Sequence, residues 1–160
     1  YRAGRVRAIG VSNFQSDRLM DLMVHNEVVP AVDQIETHPF CQQLEASRFL
    51  EENAVQMESW GPFAEGRSGL FSNEVLEAIA RKHGTSVAQV VLRWLIQRKI
   101  VAIPKSVHPA RIAENFDVFG FSLSAEDMAS ITGLDKKVSS FLDHRDPETV
   151  RRLGTVKFDI

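Results

Sequence analysis

Apolar residues recur along this chain in two alternating rhythms. Short compact runs at Val6 to Val11 (VRAIGV), Ala31 to Glu36 (AVDQIE), Val55 to Trp60 (VQMESW) and Ile100 to Ile103 (IVAI) predict four β-strands. Between them, apolar residues fall three and four apart, the spacing of a helix that buries one face. Ser16 is the candidate N-cap of a first helix, which groups Leu19, Met20, Met23 and Val24. A second buries Ala46, Phe49 and Leu50 and turns Glu51, Glu52 and Asn53 to water. A third, NEVLEAIARKHG, stops at Gly84, and the capping box Ser86-x-x-Gln89 opens a fourth with a buried stripe of Val87, Val90, Val91, Trp94 and Leu95. Pro109 suits a helix start, after which Ile112 and Phe116 are expected to face inward, and Ser124-x-x-Asp127 announces a last helix carrying Met128 and Ile131.

A strand followed by helix, repeated, implies parallel strands joined by right-handed crossovers, in an open doubly wound sheet or in a barrel. Barrels gather their chemistry at the C-terminal strand ends. Here those ends are crowded with polar groups: Ser12 and Asn13, then Gln34, Glu36 and His38, then Trp60, then Lys105 and Ser106. A complete barrel takes about 250 residues, and a four-stranded piece of one has two unpaired parallel edges. The expectation is half a (β/α)8 barrel.

Composition narrows the function. The 160 residues are 44% hydrophobic, which is material for one core, and 19 basic against 21 acidic residues leave a net charge of −2. That balance carries no electrostatic footprint for nucleic acid or an anionic membrane, so any anion site must be local. The lone Cys41 has no partner for an internal disulfide, and no apolar run approaches the roughly 18 residues of a membrane span, which points to a reducing cytoplasm. The chain opens without an initiator Met and without a targeting pattern, as if starting mid-protein. One local anion site is legible: Lys105 stands at the turn after the last strand and Arg111 one turn into the next helix, whose free N–H groups already favour negative charge. Two such cations alone are commonly plain solvated surface, and their neighbours must decide.

Those neighbours carry a resemblance. The segments IGVSNF, DQIETHPF, ESWGPFAEG and IPKSVHPARIAENFDVFGFSLSAEDM, in register at successive strand ends, resemble the aldo-keto reductases, and among them the bacterial diketogluconate-reductase-like members. The resemblance covers Arg5 to Arg152. It implies a (β/α)8 TIM barrel of which this chain is the C-terminal half, strands five to eight plus a tail, with the other half lying before Tyr1. As domains, it implies one partial barrel over 1–160, with four βα units in 6–135 and a substrate-loop tail in 136–160.

The implied cofactor is NADPH (NADP+). By resemblance, Ser12, Asn13 and Gln34 hydrogen-bond the nicotinamide carboxamide, and Trp60 offers the flat face on which the ring stacks, where many relatives place Tyr. Gly61 and Phe63 match loop positions whose backbone passes the pyrophosphate. Lys105, Ser106, Val107 and Arg111 surround the 2′-phosphate, and Glu114 and Asn115 reach the adenine. Taken as residues alone, Ser12 and Asn13 also read as turn chemistry and Trp60 as a core aromatic. Glu36 and His38 are too few ligands for a metal, and no metal is expected.

The resemblance also marks what is missing. The family's general acid is a Tyr tuned by Lys, Asp and His on the first four strands, and none of that sequence is present; Tyr1 is the only Tyr. No catalytic residue is carried over. The implied activity is hydride transfer to an aldehyde or ketone, a small-molecule carbonyl substrate, by an intact protein that is monomeric. The segment after Trp60 and the tail Ser139 to Leu153 are expected to wall the substrate pocket, with Phe141 and Leu142 as apolar contacts. Two other readings stay open at this point: a non-catalytic dinucleotide-binding sensor or regulatory subunit, and a true 160-residue protein that pairs two half-barrels.

Overall fold

The computed structural model describes residues 1–157, so the last three residues of the expected tail lie outside the described residues. In chain order the elements are β1 (Gly10–Ser12), α1 (Ser16–Val24), β2 (Val32–Glu36), α2 (Leu44–Glu52), β3 (Gln56–Trp60), a 3₁₀ segment (Ala64–Ser72), α3 (Glu74–His83), α4 (Val87–Gln97), β4 (Val101–Ala102), α5 (Pro109–Phe116), α6 (Ala125–Thr132) and α7 (Pro147–Thr155). The strands form one parallel sheet in the order β1-β2-β3-β4. Sequential order without reversal is the topology of a barrel wall, and β1 and β4 are its open edges.

The register gives the two sheet faces different characters. Val11, Asp33 and Met57 stand in one row and Ile35, Ser59 and Ala102 in another on the same face. That face meets the core of Leu19, Leu50, Leu76, Val90, Trp94, Leu95 and Ile131. The opposite face carries Ser12, Gln34 and Glu58 in a row, with Glu36 and Trp60 beyond them. Helices cover the first face, and the second is polar.

Local signals place the helices. Asn73 Oδ1 accepts the Val75 and Leu76 N–H groups at the start of α3, and Gly84 ends it at φ 64°, where a side chain would be strained. The Ser86/Gln89 and Ser124/Asp127 capping boxes are formed at α4 and α6. Asp127 is buried and further held by Lys82 Nζ at 2.9 Å and His83 Nε2 at 2.8 Å, which ties the end of α3 to the start of α6.

Several expectations are corrected. The strand expected over Val6 to Val11 shrinks to Gly10–Ser12, because this is an edge strand and only the Ile9 carbonyl finds a further partner, the Ala31 N–H at 2.7 Å. The strand at Ile100 to Ile103 shrinks to two residues before Pro104, which has no N–H to pair. Gln15, not Ser16, is the N-cap of α1, and it makes no side-chain cap bond. Met20 and Val24 are exposed beside buried Leu19. Ile112 and Phe116 do not face inward: they are 53% and 77% exposed, since α5 lies beyond the last strand and packs only its other side. The 3₁₀ segment and α7 were not expected. The first has five non-helical residues and no periodicity, and α7 buries no residue. Its start was nonetheless legible in Asp146-Pro147, an N-cap followed by Pro at N1.

Candidate functional site

Parallel strands bring their C-terminal ends to one side, and there four expected residues meet. Ser12 Oγ donates to the Gln34 carbonyl at 2.9 Å, as does the Asn13 N–H at 3.0 Å. Asn13 sits at φ 60°, a left-handed conformation that Asn tolerates better than most residues. Its Nδ2 donates to Ser12 Oγ at 3.1 Å, and its Oδ1 accepts from Trp60 Nε1 at 2.8 Å. One amide thus spans from β1 to β3. Gln34 Nε2 donates to the Glu58 carboxylate, a partner the motifs did not reveal. The period-two rule would have found it, because Glu58 pairs with Gln34 in register.

Beneath this row Asp33 is buried on the helix-covered face, where its Oδ1 accepts the Phe14 N–H at 3.4 Å and braces the turn after Asn13. Burial pushes its carboxyl from 3.8 up to about 6, with the Phe14 hydrogen bond opposing. The folded chain therefore holds this proton more tightly than the unfolded one. The associated stability is full below about pH 4 and is lost as pH rises through about 6. Asp33→Asn keeps the acceptor and removes the charge. It is expected to raise stability at pH 8 by on the order of 1–2 kcal/mol, allowing for partial hydration, and to change little below pH 4. Denaturant melts at the two pH values check this.

Trp60 is half-buried at the end of β3, with the Phe141 ring 5.0 Å away at 54°. Gly61 follows at φ 60°, and a Cβ there would lie 3.5 Å from Phe141. Phe63 packs against Phe71 at 5.6 Å and against the core, so its ring is committed to packing. The next loop holds Ala64, Glu65, Gly66, Ser68 and Gly69 at positive φ, a concentration of unusual backbone typical of functional loops.

Glu36 and His38, too few ligands for a metal by sequence, form a buried pair. His38 Nε2 lies 2.9 Å from Glu36 Oε1, and His38 Nδ1 accepts the Phe40 N–H at 3.2 Å, which leaves the ring proton on Nε2. Ser139 Oγ and the Ser140 N–H (2.7 Å) also donate to Glu36. Burial would raise the Glu36 carboxyl, but these donated bonds outweigh it and hold it below its usual value. A cleft of about 740 Å³ runs alongside, lined by Asn13, Glu36, the start of α2 and Ser139 to Arg145. Cys41 borders it, and burial pushes its thiol up to about 12, which favours the protonated form.

The second group of expected residues lies beyond β4. Ser106 Oγ accepts the His108 N–H at 3.2 Å, shaping the turn into α5. Lys105, Val107 and Arg111 are exposed, and Glu114 and Asn115 are half-buried one turn past Arg111 on the same helix face. No ion pair among the described residues involves Lys105 or Arg111. No hydrogen bond joins this group to the Asn13–Trp60 cluster; the strand order sets the two apart along one rim. Among the described residues, no three His, Cys, Asp or Glu side chains converge on a metal position, and no helix is long and apolar enough to cross a membrane.

The donor set fits a dinucleotide. Asn13 and Gln34 each keep an unused amide hydrogen and acceptor capacity after their internal bonds, enough for a carboxamide. At the other end, Lys105, Arg111 and the N-terminus of α5 match a phosphate.

A parallel α/β sheet in sequential order, with its polar groups gathered along the C-terminal rim, is the architecture of the (β/α)8 barrels. The comparisons give the family. The family model described as Aldo/keto reductase family matches residues 1–136, and the chain belongs to that family. Glyoxal reductase of Bacillus subtilis (strain 168) is 48% identical over 136 residues, covering 85% of this chain and 49% of that protein. The crystal structure of a Gox0644 variant in complex with NADPH superposes with a TM-score of 0.84 at 45% identity, covering 98% of this chain and 54% of that one. A putative 2,5-diketo-D-gluconic acid reductase B also superposes at 0.84, with 30% identity over 90% of this chain and 51% of the other. The chain spans about half the length of the curated relatives it matches.

Proposed function

We propose that the chain supplies the cofactor-gripping half of an NADPH-dependent carbonyl reductase of its relatives' length. The observation that carries this is the rim itself: Ser12, Asn13, Gln34 and Trp60 locked together by hydrogen bonds at one end, and at the other Lys105 and Arg111 beside a helix start, with no ion pair among the described residues. When bound, the dinucleotide supplies the hydride that reduces an aldehyde or ketone. The protein's part is positioning. Asn13 and Gln34 fix the plane of the carboxamide, and Trp60 backs one ring face, held in orientation by its own Nε1–H bond to Asn13. Gly61 keeps the following backbone close and free of a side chain. Lys105, Ser106, the Val107 backbone and Arg111 seat the 2′-phosphate, while Glu114 and Asn115 take the base edge. The substrate class is small aldehydes and ketones, a reading supported by 48% identity to a glyoxal reductase.

Titrating NADPH into the full-length enzyme while following protein fluorescence tests the reading. Trp60→Ala is expected to raise the Kd about two- to tenfold, the usual worth of an aromatic stack. An unchanged Kd for this variant would remove Trp60 from the cofactor site and the reading with it.

A further inference from the structure

The tail that follows α6 crosses back over the strand ends, and one buried carboxylate holds it there. Glu36 is 4% exposed and accepts three bonds: His38 Nε2 at 2.9 Å and the Ser140 N–H at 2.7 Å on Oε1, and the Ser139 hydroxyl on Oε2. Ser139 is a relay. Its Oγ accepts the Phe141 and Leu142 N–H groups, each at 3.0 Å, and spends its only hydrogen on Glu36. The Ser140, Phe141 and Leu142 N–H groups are thereby oriented, directly or through Ser139, by one side chain of β2.

The turn places Phe141. Its ring lies 5.0 Å from Trp60 and 6.5 Å edge-on from His38, and the Arg67 guanidinium sits over it at 4.6 Å. Ser139 to Arg145 then form one wall of the 740 Å³ cleft whose floor includes Asn13. The strap ends on a second tie, Arg145 to Gln15 Oε1 at 2.7 Å.

We infer that Glu36 is a positioning residue: through Ser139 and Ser140 it clamps the strap so that Phe141 rests on Trp60 and the cleft beside Asn13 keeps a fixed wall, with Phe141 and Leu142 as its apolar part. The wall selects substrates by what their non-reacting end presents to Phe141 and Leu142. A carboxylate is required because all three partners are donors, and His38 Nε2–H shares Oε1 with the Ser140 N–H, which holds the carboxylate in place. An amide at position 36 would meet Ser139 with an N–H. The hydroxyl proton would then lose its acceptor while Oγ still faces the two backbone donors. The clamp stands on geometry alone; its effect on substrates rests on the carbonyl-reductase reading.

Hydrogen exchange on the full-length protein reads the clamp directly. In Glu36→Gln and in Ser139→Ala, the amides of Ser140, Phe141 and Leu142 are expected to exchange at least tenfold faster, with no change in the helices. Ser139→Ala guards against misfolding, since it leaves the Glu36–His38 pair intact, and Ser139→Thr, which keeps the hydroxyl, is expected to restore protection. Emission should shift as Phe141 leaves Trp60, and the shift should vanish in a Trp60→Phe background. In turnover, Ser139→Ala is expected to raise KM for bulky carbonyls severalfold more than it lowers kcat. Unchanged exchange in both variants overturns the clamp. Faster exchange with no KM effect overturns its role in substrate selection, and faster exchange in a protein that binds no NADPH retains the clamp and sinks the reductase reading instead.

Discussion

With NADPH and an aldehyde such as glyoxal, the purified 160-residue chain is expected to oxidise no cofactor above the rate without protein. Hydride delivery to a carbonyl leaves negative charge on oxygen, and a positioned general acid contributes roughly 10²–10⁴-fold by protonating it. The two side chains nearest to that role are committed elsewhere. His38 is fully buried, with Nδ1 receiving the Phe40 N–H and Nε2 bound to Glu36, so it has no proton to offer the cleft. Glu58 accepts the Gln34 amide across the sheet. Tyr1, the only tyrosine, is 56% exposed at the chain start, and its carbonyl is tied to Gly4. Joining the chain to the strands that its relatives carry should restore turnover. Following absorbance at the reduced-nicotinamide band with both proteins decides it. Measurable oxidation by the short chain would mean that a group on this rim, Glu58 first, acts as the acid.

How far the sequence carried depended on the range of the signal. Gly84, the Ser86/Gln89 box and the Ser124/Asp127 box were legible because each acts on backbone groups within four residues of itself. The parallel sheet followed from the alternation of runs, and the gathering of polar groups from their common place at strand ends; that Ser12, Asn13, Gln34 and Trp60 form one group among them came from the family resemblance. Where a neighbour in space decides, the sequence said less. Val6 and Ile9 have strand chemistry but no partner along most of an open edge, and they lie exposed. Ile112 and Phe116 have the spacing of a buried stripe, yet no described element covers them. Nothing local in QIETHP announces that Glu36 will accept two serine donors from the far end of the chain. By sequence Glu36 and His38 were only too few ligands for a metal; that they pair with each other could not be read from identity.

Lys105 and Arg111, in no ion pair among the described residues, should decide which dinucleotide is used. Removing the guanidinium with Arg111→Ala is expected to cost about 1.5–3 kcal/mol of NADPH affinity, roughly ten- to hundredfold, by the usual strength of hydrogen bonds to charged groups. NADH should lose far less, because it lacks the 2′-phosphate and shares everything else. Arg111 is exposed on the first turn of α5, with no ion pair among the described residues, so its removal leaves no buried partner unsatisfied and stability should hold. Lys105 stands at the preceding turn and adds a point charge to the same seat. Arg111→Lys should therefore recover only part of the loss, since an ammonium supplies charge without the two-pronged geometry. Raising salt should weaken NADPH more than NADH in the parent protein and narrow the gap in Arg111→Ala, as expected for an exposed charge contact. Dissociation constants for both dinucleotides, with both variants at two ionic strengths, separate the possibilities. Equal losses for NADPH and NADH would mean that Arg111 merely supports the loop and that IPKSVHPAR is no phosphate seat.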